Sequence, residues 1–175
     1  MFMTNEKSIP TWEPTAAEKF NDADIKALQD EGITVTAAIG GWGLGNVFRP
    51  AVQTEATREE FARLLVGFVK EKGLDGIDLD WEYPANGAWG LVASTPADRD
   101  NFTALLKEMR EAFGQKKRVN IAVGAKAESP KSWVDVNAIA TLLDYINMMT
   151  YDRADGMQYF NANLYERSAW PTVTA

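Results

Sequence analysis

Leu74-Asp75-Gly76-Ile77-Asp78-Leu79-Asp80-Trp81-Glu82-Tyr83-Pro84 carries the strongest pattern in the chain. Apolar and acidic residues alternate through it, which predicts one β-strand over Leu74 to Glu82. Side chains on a strand change face at every residue, so Asp78, Asp80 and Glu82 share one face, roughly 6.5–7 Å apart at successive positions. Ile77, Leu79 and Trp81 take the other. An apolar face that ends in tryptophan calls for a covering layer. A file of carboxylates is costly to bury, because desolvation and mutual repulsion push at least one of them toward its neutral form. Perturbed acids in such an array belong mostly to catalytic or metal sites. A solvated edge strand would carry mixed polar residues instead.

On either side of this segment, helical and strand patterns alternate. Asp22 to Glu31 reads as a short helix stopped by Gly32, and Ile33 to Gly40 as a strand ending in Gly40-Gly41-Trp42. Thr57-Arg58-Glu59-Glu60 reads as a capping box, followed by Phe61, Leu64, Leu65, Phe68 and Val69 at helical spacing up to Gly73. Thr95-Pro96-Ala97-Asp98 starts another helix, whose face is Phe102, Leu105, Leu106, Met109 and Phe113 and whose end is Gly114. Val119 to Ala125 is predicted as a strand, Asp135 to Leu143 as a short helix and Tyr145 to Tyr151 as a strand. Residues 153–175 read as irregular.

Alternation of this kind implies a parallel sheet with right-handed crossovers and covering helices. Acids near a strand's carboxyl end suit a (β/α)8 barrel, which carries its catalytic groups at that rim. An open doubly wound sheet would announce itself by a phosphate loop, and Gly40-Gly41-Trp42-Gly43-Leu44-Gly45 lacks the dinucleotide spacing. Four strands are legible, whereas a closed barrel needs eight and typically about 250 residues. The expectation is therefore an incomplete barrel whose core runs over about 22–152.

Composition narrows the chemistry. The 175 residues carry 18 Lys+Arg against 25 Asp+Glu, a net charge of −7. Such a balance argues against nucleic acid and anionic membrane as partners. There is no cysteine and no histidine, which excludes disulfides, thiolate metal sites, imidazole zinc ligands and His-dependent triads. Acid–base work falls to carboxylates, tyrosines or lysines. No stretch has the length of a membrane span, and residues 1–30 lack a signal-peptide pattern. Of the six tryptophans, at Trp12, Trp42, Trp81, Trp89, Trp133 and Trp170, several fall in expected loops.

Asp75-Gly76-Ile77-Asp78-Leu79-Asp80-Trp81-Glu82 resembles the D-x-x-D-x-D-x-E signature of glycoside hydrolase family 18, the chitinases. Ala38-Ile39-Gly40-Gly41 stands where that family has S-x-G-G on its third strand, and Met149-Thr150-Tyr151-Asp152 resembles the M-x-Y-D of its sixth. The resemblance covers nearly the whole chain, which would supply strands three to six, with Met1-Phe2-Met3 as the end of strand two. It implies hydrolysis of β-1,4-linked N-acetylglucosamine polymers by a retaining, substrate-assisted route, a departure from the usual two-carboxylate scheme.

Under the resemblance, Glu82 is the general acid and Asp80 orients the 2-acetamido group whose carbonyl oxygen attacks the anomeric carbon. Asp78 shares a proton with Asp80, and Tyr151 donates to the acetamido carbonyl. Asp152, Gly41, Tyr83 and Met149 are expected to bind sugar, and Trp42 is either a stacking platform or a rim core residue. Asp75 has the wrong parity for the acid face and is expected to be structural. Ala38 replaces the family's serine, a lost hydroxyl expected to tune the aspartates rather than abolish activity. No cofactor and no metal are implied. The family also suggests an extracellular protein that acts on chitin or N-acetylglucosamine oligosaccharides. Other readings stay open: an endo-β-N-acetylglucosaminidase on N-glycans, an inactive carbohydrate-binding fragment, and a Mg²⁺-dependent barrel enzyme using the three acids as ligands. An unclosed barrel is also expected to self-associate through its open sheet edges.

Overall fold

Asp75 and Asp144 each stand just before a strand and fasten the start of a neighbouring one. The Asp75 carboxylate accepts from the Val35 amide at 2.8 Å and from Gln29 Nε2 at 2.9 Å. Asp144 accepts from the Val119 amide at 2.9 Å and from the guanidinium groups of Arg110 at 2.6 Å and Arg118 at 2.7 Å. Asp75 is thus structural, as its parity implied. These clamps set the register of a four-stranded parallel sheet, seen in a computed structural model that describes residues 22–42, 45–85, 95–125 and 133–151.

The elements are α1 (Asp22–Asp30), β1 (Thr36–Gly40), α2 (Gly45–Val52), α3 (Glu55–Glu71), β2 (Gly76–Asp80), α4 (Pro96–Phe113), β3 (Arg118–Gly124), α5 (Val136–Ile139) and β4 (Tyr145–Met149). The strands lie side by side in chain order, β1-β2-β3-β4, every pair parallel. This is part of a (β/α) barrel, as the alternation implied. Met1-Phe2-Met3, Trp12, Trp89, Asp152 and Trp170 lie outside the described residues.

One helix escaped the sequence reading. The α2 segment follows the glycine-rich stretch and contains Pro50, which argues against helix. It is held by packing: Phe48 and Val52 are fully buried and Ala51 nearly so. The capping box of α3 also lies earlier than expected. Thr54 is the N-cap, its amide donating to Thr57 Oγ1 at 3.1 Å while the Thr57 amide donates to Thr54 Oγ1 at 3.2 Å. A threonine hydroxyl takes the part that glutamate usually plays at this position. The α4 start is as read, with Pro96 in the first turn and the Thr95 amide donating to Asp98 Oδ2 at 2.6 Å. The predicted Asp135–Leu143 helix shrinks to α5, capped by the Asp135 carboxylate.

Ile39, Ile77, Leu79, Val119 and Ile121 are fully buried on the outer face of the sheet. They share one core with Phe48, Phe61, Leu65, Val69, Phe102, Leu105, Leu106 and Met109 of α2, α3 and α4. Burial of this kind contributes about 1.5–3 kcal/mol per large apolar side chain. Among the described residues the cover stops short of β4, where Ile146 and Met148 on the same face are 46% and 44% exposed.

Candidate active site

Strand β2 obeys the predicted alternation: Ile77, Leu79 and Trp81 are buried, and Asp78, Asp80 and Glu82 are half-buried between them. The strand ends at Asp80 rather than Glu82. Its partner β1 runs out there, since Gly40 pairs with Asp80 and the Gly41 amide makes a closing bond to the Asp80 carbonyl at 2.8 Å. Trp81 and Glu82 continue past the sheet, with the tryptophan kept on the covered side. It lies parallel to Phe48, centroids 5.3 Å apart, and edge-on to Phe102 at 5.4 Å. That anchor leaves Glu82 on the interior side, above Asp80.

Small residues make room for the acids. Ala38 on β1 and Asn120 on β3 are in register with Asp78, and Gly40 with Asp80. Gly40 has φ of +112°, and a β-carbon there would collide with the Asp80 carbonyl oxygen and come within 2.6 Å of the Phe48 ring. Only glycine suits this close approach. On β3, Ala122 is the strand neighbour of Asn147. Asn147, in register with Ala122, donates from Nδ2 to Asp78 Oδ2 at 2.7 Å. The other oxygen of Asp78, Oδ1 of Asp80 and Oδ1 of Asn120 are buried without a hydrogen-bond partner among the described residues.

The electrostatics follow from this packing. Burial, then the charges of Glu82 and Asp78, push Asp80 up to about 6. Burial also raises Asp78, offset in part by the bond from Asn147. The Tyr83 phenol is raised well above its ordinary value by burial, by the neighbouring Glu82 charge and by its hydrogen bond to Glu82. Asp144 behaves oppositely. Burial works against its ionisation, but the Val119 amide, Arg110 and Arg118 overcome this and hold it at about 2.

At the rim, Tyr83 stacks on Trp133, ring centroids 3.9 Å apart and planes 16° from parallel. Gly124 lies beneath, where a β-carbon would press to 2.6 Å from the Trp133 ring. Met149 ends β4 half-buried, in register with Gly124, and Tyr151 just beyond it is 53% exposed. Trp42 is 57% exposed past the end of β1, so it is a surface residue of the rim and no part of the core. The structure therefore gathers Asp78, Asp80, Glu82, Tyr83 and the Gly41 backbone at one end of the sheet. Asn147, Asn120 and Trp133 belong to the same surroundings and were not singled out from the sequence. A parity count back from Met149 finds Asn147. No group of three His, Cys, Asp or Glu side chains suited to a metal ion occurs among the described residues.

Carboxylates on the interior face of a parallel sheet, at its carboxyl end, define a segment of a (β/α) barrel with its site at the usual rim. The chain belongs to the glycosyl hydrolases family 18, whose family model matches residues 1–175. It is 34% identical over 160 residues to "Chitinase A1" of Niallia circulans, covering 87% of this chain and 23% of that protein. It is 36% identical over 122 residues to "Probable chitinase 2" of Drosophila melanogaster, covering 69% of this chain and 24% of that one. Among solved structures, the chitinase domain of the Clostridium difficile spore coat protein CotE is 33% identical with a TM-score of 0.72, covering 89% of this chain and 48% of that chain. Catalytic domain 2 of the Ostrinia furnacalis Group II chitinase, solved in complex with penta-N-acetylchitooctaose, is 28% identical with a TM-score of 0.75; the match covers 86% of this chain and 41% of that chain. The chain thus spans about a quarter to a half of the length of these relatives.

Proposed function

We propose that this chain carries the catalytic carboxylates of a chitinase-type glycoside hydrolase that cleaves β-1,4 N-acetylglucosamine linkages with retention. The observation that supports this best is the stack itself: Asp78, Asp80 and Glu82 on one face, with Asp80 pushed up to about 6 by burial and by its acidic neighbours. Glu82, the outermost acid, protonates the glycosidic oxygen as the bond to the anomeric carbon breaks. The acetamido carbonyl oxygen of the same sugar forms the new bond to that carbon, giving an oxazolinium ion. Asp80 orients the acetamido N–H through its carboxyl oxygen, and the single negative charge of the Asp78–Asp80 pair balances the developing positive charge. Glu82, now ionised, takes a proton from the water that opens the ring, which restores the sugar's configuration and the enzyme's charge.

Tyr151 donates to the acetamido carbonyl, and Asp152, Gly41, Tyr83 and Met149 line the sugar's path. Trp42 supplies an exposed indole of the kind on which a pyranose ring stacks. The partner is chitin or an N-acetylglucosamine oligosaccharide. Association of the chain with itself through the edges of the sheet is a second, independent part of the proposal.

The test is hydrolysis of chito-oligosaccharides by the protein that carries this chain, with and without N-acetyl groups at the cleavage position. Cleavage of the acetylated oligomers and none of the deacetylated ones is the expected result. Equal hydrolysis of both removes the acetamido nucleophile and the roles of Asp80 and Tyr151.

A further inference from the structure

Asn147, in register with Ala122 of β3, reaches from β4 to Asp78 on β2, two strands away, at 2.7 Å. A carboxamide contributes to a carboxylate only through its N–H, so the bond fixes which end of the amide faces the acid. It occupies one oxygen, Oδ2, and leaves Oδ1 of Asp78 buried with no hydrogen-bond partner among the described residues, as is Oδ1 of Asp80 on the same strand face. The strand neighbour on the opposite side of Asp78 is Ala38, which has no hydroxyl to share this work.

We propose that Asn147 is a positioning residue that keeps Asp78 ionised and thereby places the proton shared by the two aspartates on Asp80. This rests on the chitinase reading given above, in which Asp80 and Glu82 face the substrate and Asp78 does not. A charge-accepting bond stabilises the ionised form of the acid that receives it. Two aspartates that titrate as a coupled pair hold one proton between them over a range of pH, and the partner whose ionised form accepts the better hydrogen bond carries the charge. The Asn147 bond lowers Asp78 against the effect of burial, while the Asp78 charge in turn raises Asp80.

The groups around Asp78 allow this assignment. From β2 it faces Asp80, with Glu82 beyond; from β1, Ala38; from β3, the uncharged Asn120. Arg118, which shares the parity of Asn120, is committed to Asp144 at 2.7 Å and lies over the Tyr145 ring. Asn147 is thus the group from β4 that acts on Asp78 directly.

The experiment follows the side-chain carboxyl carbon of Asp78 by NMR, alongside the pH profile of kcat on N-acetylglucosamine oligomers. Both are measured in the protein that carries this chain, in Asn147→Leu and in Asn147→Asp. Leucine removes the donor. Aspartate keeps the shape and replaces the donor with a like charge, and it serves if the leucine variant folds poorly. The Asp78 midpoint rises by about one pH unit in Asn147→Leu and further in Asn147→Asp. The acid limb of kcat moves up with it, since the productive form with Asp78 ionised now appears at higher pH. A loss of packing alone lowers kcat at every pH and leaves the limb in place, and that result overturns the inference. An unmoved Asp78 midpoint overturns it as well. A parent protein inert on these oligomers at every pH, with the Asp78 midpoint still shifting on substitution, instead sinks the chitinase reading and with it the catalytic part of the inference.

Discussion

Trp81 and Phe48 lie face to face, ring centroids 5.3 Å apart and planes 6° from parallel. The contact joins the residue between two acids to a helix that the sequence alone did not reveal. Glu82 follows Trp81 directly, half-buried and near enough for its charge to raise Asp80. The apolar core thus holds the residue next to the outermost acid.

Trp81→Ala removes that anchor. Truncation of a buried tryptophan costs about 3–5 kcal/mol, so urea unfolding should show a loss of this order. Where the variant remains folded, turnover should fall more than stability alone explains, because Glu82 is no longer held in place. Activity at the parent's level in the folded fraction would separate the acid's position from this contact.

Gly40→Ala places a β-carbon against the Asp80 carbonyl, at a positive φ that side chains rarely adopt. Backbone strain alone accounts for about 1–3 kcal/mol, and the collision with main chain adds to it. Thermal unfolding should register the loss, and Asp80 should move away from Gly41. A variant of parental stability would mean that β1 and β2 sit farther apart than described.

Two aspartates should give stability opposite slopes with pH. Asp80 is raised to about 6, so the native state holds its proton more tightly than the unfolded chain. Its ionisation therefore weakens the fold progressively from about pH 4 to about pH 6. Asp144 is held at about 2, and its contribution is full above about pH 4 and lost as pH falls toward 2. Asp80→Asn should flatten the first decline and leave the second; Asp144→Asn should do the reverse. Chemical denaturation across this range checks both, and an unchanged slope between pH 4 and 6 in Asp80→Asn would contradict the burial of that acid.

Strand β4 leaves Tyr145, Ile146 and Met148 exposed at the side of the sheet. Among the described residues no strand pairs with the far side of β4, and such an edge beside apolar side chains favours pairing with another chain. Sedimentation velocity on the 175-residue chain should show association that weakens in the Ile146→Lys, Met148→Lys double variant. A concentration-independent monomer would remove self-association from the account.

The parity of Asp78, Asp80 and Glu82 was legible because a strand's alternation depends on no other part of the chain. The parallel order was legible from the alternation of helix and strand. Helix α2 was not, since Pro50 speaks against it and the burial of Phe48, Ala51 and Val52 in the assembled core is what favours it. The cap at Thr54 was missed because a threonine stands where a glutamate is the usual signal. The strand ends were overextended because a strand stops where its partner leaves, and the sequence does not mark that point. Asn147 lay on the correct face by a simple count, but its contact with Asp78 depends on the order and register of three strands.

Under the proposed mechanism Glu82 is the acid that protonates the leaving group. Glu82→Gln keeps the shape of the side chain and removes the proton it can give. In the protein that carries this chain, the account predicts unchanged binding of N-acetylglucosamine oligomers by calorimetry, with turnover reduced by a factor of at least about 10². Turnover within a few-fold of the parent, with binding intact, would contradict it.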